Sequence, residues 1–167
     1  MELHVRPSGS LTCGVVTARC ALGRSGIRAN KHEGDGATPA GVFTLRHIYY
    51  RADRATRPIS GLAVSALTPH DGWCDDPNCV DYNHRISLPH AGSHERMWRD
   101  DPLYDVLAVI GYNDAPPVRG LGSAIFLHVA AEGYALTEGC VALAREYLLA
   151  ILAACDAAAA IRITTSE

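Results

Sequence analysis

The chain has 167 residues, 48% of them hydrophobic and 20% charged, the balance of a folded domain with its own core. Its formal net charge of -3 gives no basic footprint for nucleic acid. No apolar run approaches the roughly 20 residues a membrane helix needs, so one domain over residues 1–167 without a membrane span is expected.

The opening stretch, MELHVRPSGSLTCG, has no cationic segment followed by an apolar run, so no secretory signal peptide is read there. Val15 to Leu22 is apolar and partly β-branched, and reads as a strand. Val42 to Tyr50, VFTLRHIYY, alternates in and out and is rich in aromatic and branched residues. Residues 61–67, GLAVSAL, form a further short apolar run. Residues 68–103 then carry Pro, Asp, Asn, His and Trp with little periodicity, and such an insert in a small domain usually covers a site. VLAVIGY at 106–112 and AIFLHV at 124–129 are again strand-like. From Ala142 to Ala154 there is no Gly or Pro, and good helix formers dominate. Leu148, Leu149 and Leu152 give that helix an inward face. AIRITT at 160–165 closes the chain as an alternating strand. The sum is a mainly β fold, a sandwich or mixed sheets with one helix packed on them in the C-terminal half.

Six cysteines stand at 13, 20, 74, 79, 140 and 155. A chain this long does not need a disulfide framework. Cys74 and Cys79 are close enough for a local bridge, although short loops gain least from one. Eight histidines are also present. No two cysteines are spaced C-x₂-C, and His90 and His94 lie in a loop with Gly and Pro, so neither a metal nor a cofactor is expected.

Chemistry concentrates in IFLHVAAEGYALTEGC. A cysteine attacks as its thiolate, and a free thiol is mostly protonated near neutral pH. Cys140 is expected in the turn feeding the helix, near its positive end. His128 ends a strand and is the candidate general base. Gly139 permits a sharp turn, and its backbone N–H, with that of Cys140, is a candidate oxyanion donor. Thr137 is placed to fix this loop by a hydroxyl bond to backbone. A cysteine beside glycine also occurs as a small buried hydrophobe, so spacing by itself leaves both readings open. In the 68–103 insert, Trp73 is a candidate apolar wall of a groove, and Asp75 and Asp76 are candidates to pair with a substrate amine. The competing reading there is a solvated turn with Asp caps. Tyr112 and Asn113 precede the histidine strand and are candidates to point into the cleft. Gly36, Pro39 and Gly41 read as turn residues. His90, His94 and Arg96 read as a solvated loop or as contacts to acidic groups.

Three blocks in order carry a resemblance: EGDGATPAGVFTL (Glu33 to Leu45), GYNDAPPVRGLGSAIFLHV ending at His128-Val129, and Thr137-Glu138-Gly139-Cys140. Together they resemble the YkuD-type L,D-transpeptidase catalytic domain, over roughly residues 13–165. GWCDDP (Gly72 to Pro77) and Tyr82-Asn83 are similar to a single-domain proteobacterial subgroup. The resemblance implies Cys140 as nucleophile, His128 as base and the Val129 carbonyl as the group orienting the imidazole. It implies acyl transfer between peptidoglycan stem peptides in cell-wall biogenesis, and hence the periplasm. The crosslink is either 3,3 between meso-diaminopimelate residues or 1,3 from L-Ala. Water as acceptor would make the chain a peptidase or amidase, and a silent cell-wall-binding module is the non-enzymatic alternative. The chain departs from many relatives at Ala142, where an Arg is common, at Val129, where a Gly is common, and at Glu138, where a basic residue is common.

Overall fold

Alternation shapes the first strands. In β1 (Glu2–Arg6), Leu3 and Val5 are fully buried while their neighbours are half-exposed, the pattern of a sheet with one face inward. β1 pairs antiparallel with β2 (Ser10–Cys13), which pairs with β3 (Val16–Ala21). The computed structural model describes residues 1–166.

β4 (Ile27–Arg28) and β5 (Thr38–Pro39) form a small parallel pair before β6 (Gly41–Tyr50). β6 is the longest strand, and it serves two partners on one edge. Its first residues meet β14 (Ala160–Ile163), and its last four meet β7 (Ala63–Ala66). Its other edge takes β11 (Val106–Ile110), which continues to β12 (Phe126–Val129), β13 (Val141–Leu143) and back to β3. The order β11-β12-β13-β3-β2-β1-β14-β6 closes through the β11–β6 pairing, leaving β7 appended. The expected sandwich is therefore a sheet closed on itself. Closure removes the open edges that a sandwich would leave exposed.

The inner core gathers Leu3, Val5, Leu45, Leu127, Leu143 and Ile161, among others. The helix α1 (Arg145–Ala154) adds Leu148, Ile151 and Leu152 to it. α1 starts three residues later than Ala142, the start expected from propensity. Val141, Ala142 and Leu143 are buried between β12 and β3, so they are held extended. Tertiary pairing overrides propensity there. β1, β2 and β13 were not anticipated, being short and without a long apolar run.

β11 is buried along its whole length because both of its faces are covered. Val106, Ala108 and Ile110 face the inner core, while Leu107 and Val109 join a second cluster with Tyr49, Trp73, Tyr104, Phe126 and Cys140. That outer face is roofed by the 68–103 segment. It is not a plain loop: β8 (Asp71–Cys74) pairs with β9 (Arg85–Ser87) and β10 (His94–Arg96) in a three-stranded sheet. Its side chains alternate too briefly for the pattern to show in sequence.

A close backbone approach locks the site-bearing loops to this frame. Gly23 bridges Thr137, and a Cβ on Gly23 would stand 2.4 Å from the Gly36 carbonyl oxygen and 2.8 Å from the Thr38 nitrogen. Gly23→Ala is expected to cost about 1–3 kcal/mol by forcing these backbones apart. Urea unfolding measures it, and an unchanged midpoint would contradict the packing described.

Candidate active site

β12 and β13 run parallel, with Leu127 opposite Val141 and His128 opposite Ala142. Side chains alternate along each strand. Leu127, Val129, Val141 and Leu143 therefore enter the inner core. Phe126, His128, Cys140 and Ala142 fall on the opposite face, where the last three line a cavity of about 520 Å³. Two adjacent strands thus deliver a thiol and an imidazole to one cavity.

The sequence placed Cys140 at the head of the helix. β13 lies between them, and α1 begins only at Arg145. A macrodipole acts within the first turn, so the thiol does not draw on it. Instead Cys140 Sγ accepts the Phe126 N–H at 3.3 Å and donates to the Ala124 carbonyl at 3.3 Å. The residue is only 8% exposed. Burial, with the Glu95 carboxylate nearby, pushes the thiol up to about 12, while the Phe126 amide, Lys31 and Arg99 pull the other way.

His128 is buried, and its Nδ1 lies 2.8 Å from the Val129 carbonyl oxygen. A carbonyl only accepts, so Nδ1 carries the proton and Nε2 keeps its lone pair. Tyr104 meets the ring edge-on at 5.3 Å between centroids. Burial lowers the imidazole to about 4, against the Val129 bond, which favours the charged form. At neutral pH the resting pair is a thiol and a neutral imidazole.

The cavity wall is acidic. Glu33, Asp75, Glu95 and Glu138 line it, with Arg99 as the cation among them. Glu95 is raised by burial, accepts a hydrogen bond from the Tyr104 hydroxyl and lies 3.9 Å from Arg99. Arg99 is bound more closely to Asp101, at 2.6 Å. Glu138 turns outward to Arg24 at 2.9 Å. Asp75 Oδ1 is buried without a hydrogen-bond partner, and a solvent-excluded carboxylate oxygen in that state is costly.

The candidates read from sequence divide clearly. His128, Cys140, Thr137 and Asp75 line the cavity. Thr137 Oγ1 donates to the Cys140 carbonyl at 2.7 Å and accepts the Gly139 N–H at 3.1 Å. The Gly139 amide is therefore engaged inside its own loop. Gly139 has φ 138°, and a Cβ there would stand 2.8 Å from the Ala37 carbonyl oxygen. Trp73 is not a groove wall. It is buried edge-on against Phe126 and donates from Nε1 to Asn83 at 2.9 Å. Asp76 caps the Asn78 amide at 2.9 Å, as in the turn reading. Tyr112 donates to the Leu121 carbonyl, and Asn113 holds the 118–122 loop through Val118 and Gly122. Both support the approach to β12 from outside the cavity.

Sequence reading missed Glu33, Glu95, Arg99, Tyr104 and Ser123 as cavity residues. Glu33 Oε2 accepts from the Tyr82 hydroxyl at 2.6 Å and the Ser123 hydroxyl at 2.7 Å. A lone Glu or Tyr in an aperiodic stretch carries no spacing signal. The one available clue was an acidic residue inside a glycine-rich turn block.

The lowered His128 pKa has a stability consequence. Between pH 6.5, its ordinary value, and about 4 the unfolded chain binds a proton that the folded chain does not. Stability from this group is full above 6.5 and falls as pH drops toward about 4, by about 1.4 kcal/mol per pH unit. His128→Gln is expected to flatten the stability-versus-pH slope across that window. Denaturant titrations at several pH values measure it, and identical slopes for both proteins would refute burial of a neutral imidazole.

No curated protein and no solved structure matches the chain. Among protein families, the model for the YkuD L,D-transpeptidase catalytic domain matches residues 10–163, nearly the whole length, and the chain therefore belongs to the YkuD family.

Proposed function

We propose that the protein is a peptidoglycan L,D-transpeptidase acting through a Cys140 thioester. One observation carries this reading: His128 and Cys140 share a face of two paired strands and open into one cavity, with Nε2 of the imidazole left as the basic atom. Cys140 Sγ attacks a stem-peptide carbonyl while its proton passes to His128 Nε2. The tetrahedral intermediate collapses, the C–N bond breaks, and the leaving amine takes that proton. The amine of a second stem then attacks the thioester, losing its proton to His128; the S–C bond breaks, and the departing sulfur takes that proton back. We assign the oxyanion to the Cys140 amide, since Thr137 holds that of Gly139.

The acidic wall supports an amine acceptor. An incoming ammonium would meet the carboxylates that line the cavity, Asp75 among them. Ala142 beside the thiol offers no cation of the kind many relatives carry there, so the donor bond is read from products: 3,3 crosslinks for a tetrapeptide donor, 1,3 for cleavage after L-Ala. Such substrates place the site of action in the periplasm. No helix among the described residues is long and apolar enough to cross a membrane.

Incubation with purified muropeptides followed by mass spectrometry tests the reading. Dimers are expected, with fragmentation naming the bond. Shortened monomers without dimers would make the protein a hydrolase on the same substrate. Cys140→Ala should remove turnover and the acyl-enzyme mass while preserving the fold. Neither dimers nor shortened monomers, with no acyl-enzyme mass on Cys140, would point to a silent binding module. Asp75→Asn is expected to raise KM for the acceptor by about 10- to 100-fold, with a smaller effect on kcat; a KM within twofold of the parent would remove Asp75 from the acceptor site.

A further inference from the structure

A second chemical cluster lies behind the cavity wall. The ligand atoms of Cys74, Cys79 and His90 all lie within 4.8 Å of one another. Cys79 Sγ is 3.7 Å from His90 Nε2 and 3.9 Å from Asp81 Oδ2, and that oxygen is 3.4 Å from Nε2. Tetrahedral zinc with bonds of about 2.0–2.3 Å has ligand-to-ligand edges of about 3.3–3.8 Å. The two sulfurs and the imidazole are close to that size before any metal enters, and the exposed Asp81 carboxylate reaches two of the three.

The Asp81 amide donates to Cys79 Sγ at 3.5 Å, and a hydrogen bond to the charged form favours a thiolate. Cys74 is fully buried at the end of β8, and Cys79 is half-buried. Gly92 offers His90 Nδ1 both its N–H at 3.1 Å and its carbonyl at 3.5 Å. The imidazole therefore finds a partner in either tautomer, including the one that frees Nε2 for a metal. The spacing Cys74-x₄-Cys79 lies within the range of zinc loops, although it is not the C-x₂-C looked for in the sequence.

We propose that Cys74, Cys79, His90 and Asp81 form a structural zinc site. Two thiolates, an imidazole and a carboxylate suit a borderline-soft divalent ion, and four protein ligands close the shell. The site ties the end of β8 to the loop after β9. Asp75, on the cavity wall, is the residue next to Cys74, so the metal fixes the strand end that carries it. The competing use of the same sulfurs is a Cys74–Cys79 disulfide, which needs an oxidant and excludes the metal.

The test is a Co²⁺ titration of the reduced, chelator-treated full chain. One equivalent is expected to give tetrahedral visible bands and a thiolate charge-transfer band, both bleached by one equivalent of Zn²⁺. Loss of a partner outside the ligand shell already weakens metal sites roughly 10–100-fold, so Cys79→Ser and His90→Gln should each weaken binding by more than about 100-fold. Cys140→Ser should leave the spectrum unchanged. In the unmutated protein Zn²⁺ should shield Cys74 and Cys79 from iodoacetamide, a readout that stands even where a variant fails to fold. Absence of the tetrahedral spectrum in reduced protein, its loss on Cys140→Ser, or unchanged alkylation of the two thiols would each overturn the proposal.

Discussion

The parallel pairing of β12 with β13 is the constraint on which the rest depends. With Leu127 opposite Val141, alternation leaves no freedom over where His128 and Cys140 point. A shift of one residue would send both into the inner core and bring Leu127 and Val141 into the cavity. The register is secured by burial, since Leu127, Val141 and Leu143 are all completely enclosed. The same apolar residues that stabilise the closed sheet thus aim the polar pair.

Parallel neighbours need a connection that leaves the sheet and returns. Here residues 130–140 make it, and the return must arrive at a defined height. Gly139 permits this by approaching the Ala37 carbonyl where no side chain would fit, and Thr137 ties the turn to Cys140. On the other side of the cavity, Asn83 performs a similar task. It accepts from Trp73 and the Ala124 amide, and donates to the carbonyls of Tyr112 and Asn113. A buried amide with its groups satisfied specifies a unique arrangement. Ala124 in turn accepts the Cys140 thiol, so the roof, the approach loop and the sulfur are joined through one side chain.

β6 and the helix were legible because each runs for ten residues, and β11 and β12 because short apolar runs mark them. β8, β9 and β10 were not, because strands of three and four residues carry too few alternations and here have no apolar run to mark them. The Gly-Cys and His positions were legible through three ordered blocks, not through their own spacing. The cavity wall was mostly illegible. Glu95, Arg99 and Tyr104 reach it because β10 and the loop after it fold back over β11, a long-range consequence with no local signature. Trp73 failed as a groove wall for a related reason: an aromatic beside acidic residues looked exposed, but β8 turns its ring inward onto Phe126.

The electrostatics of the pair follow from this architecture. With β13 standing between Cys140 and α1, no helix terminus lowers the thiol, and burial raises it while lowering the imidazole. Separation into thiolate and imidazolium in the resting site would put two charges in a dry face at considerable cost. Under the acyl-transfer reading, proton transfer is then favourable only as the sulfur attacks, when the negative charge moves onto the carbonyl oxygen and meets a backbone donor. A neutral resting pair also leaves the acidic wall as the dominant local charge. That wall attracts an ammonium group, and an acceptor amine is itself an ammonium near neutral pH. On that reading the site selects its acceptor by charge and activates its nucleophile only when a donor is bound.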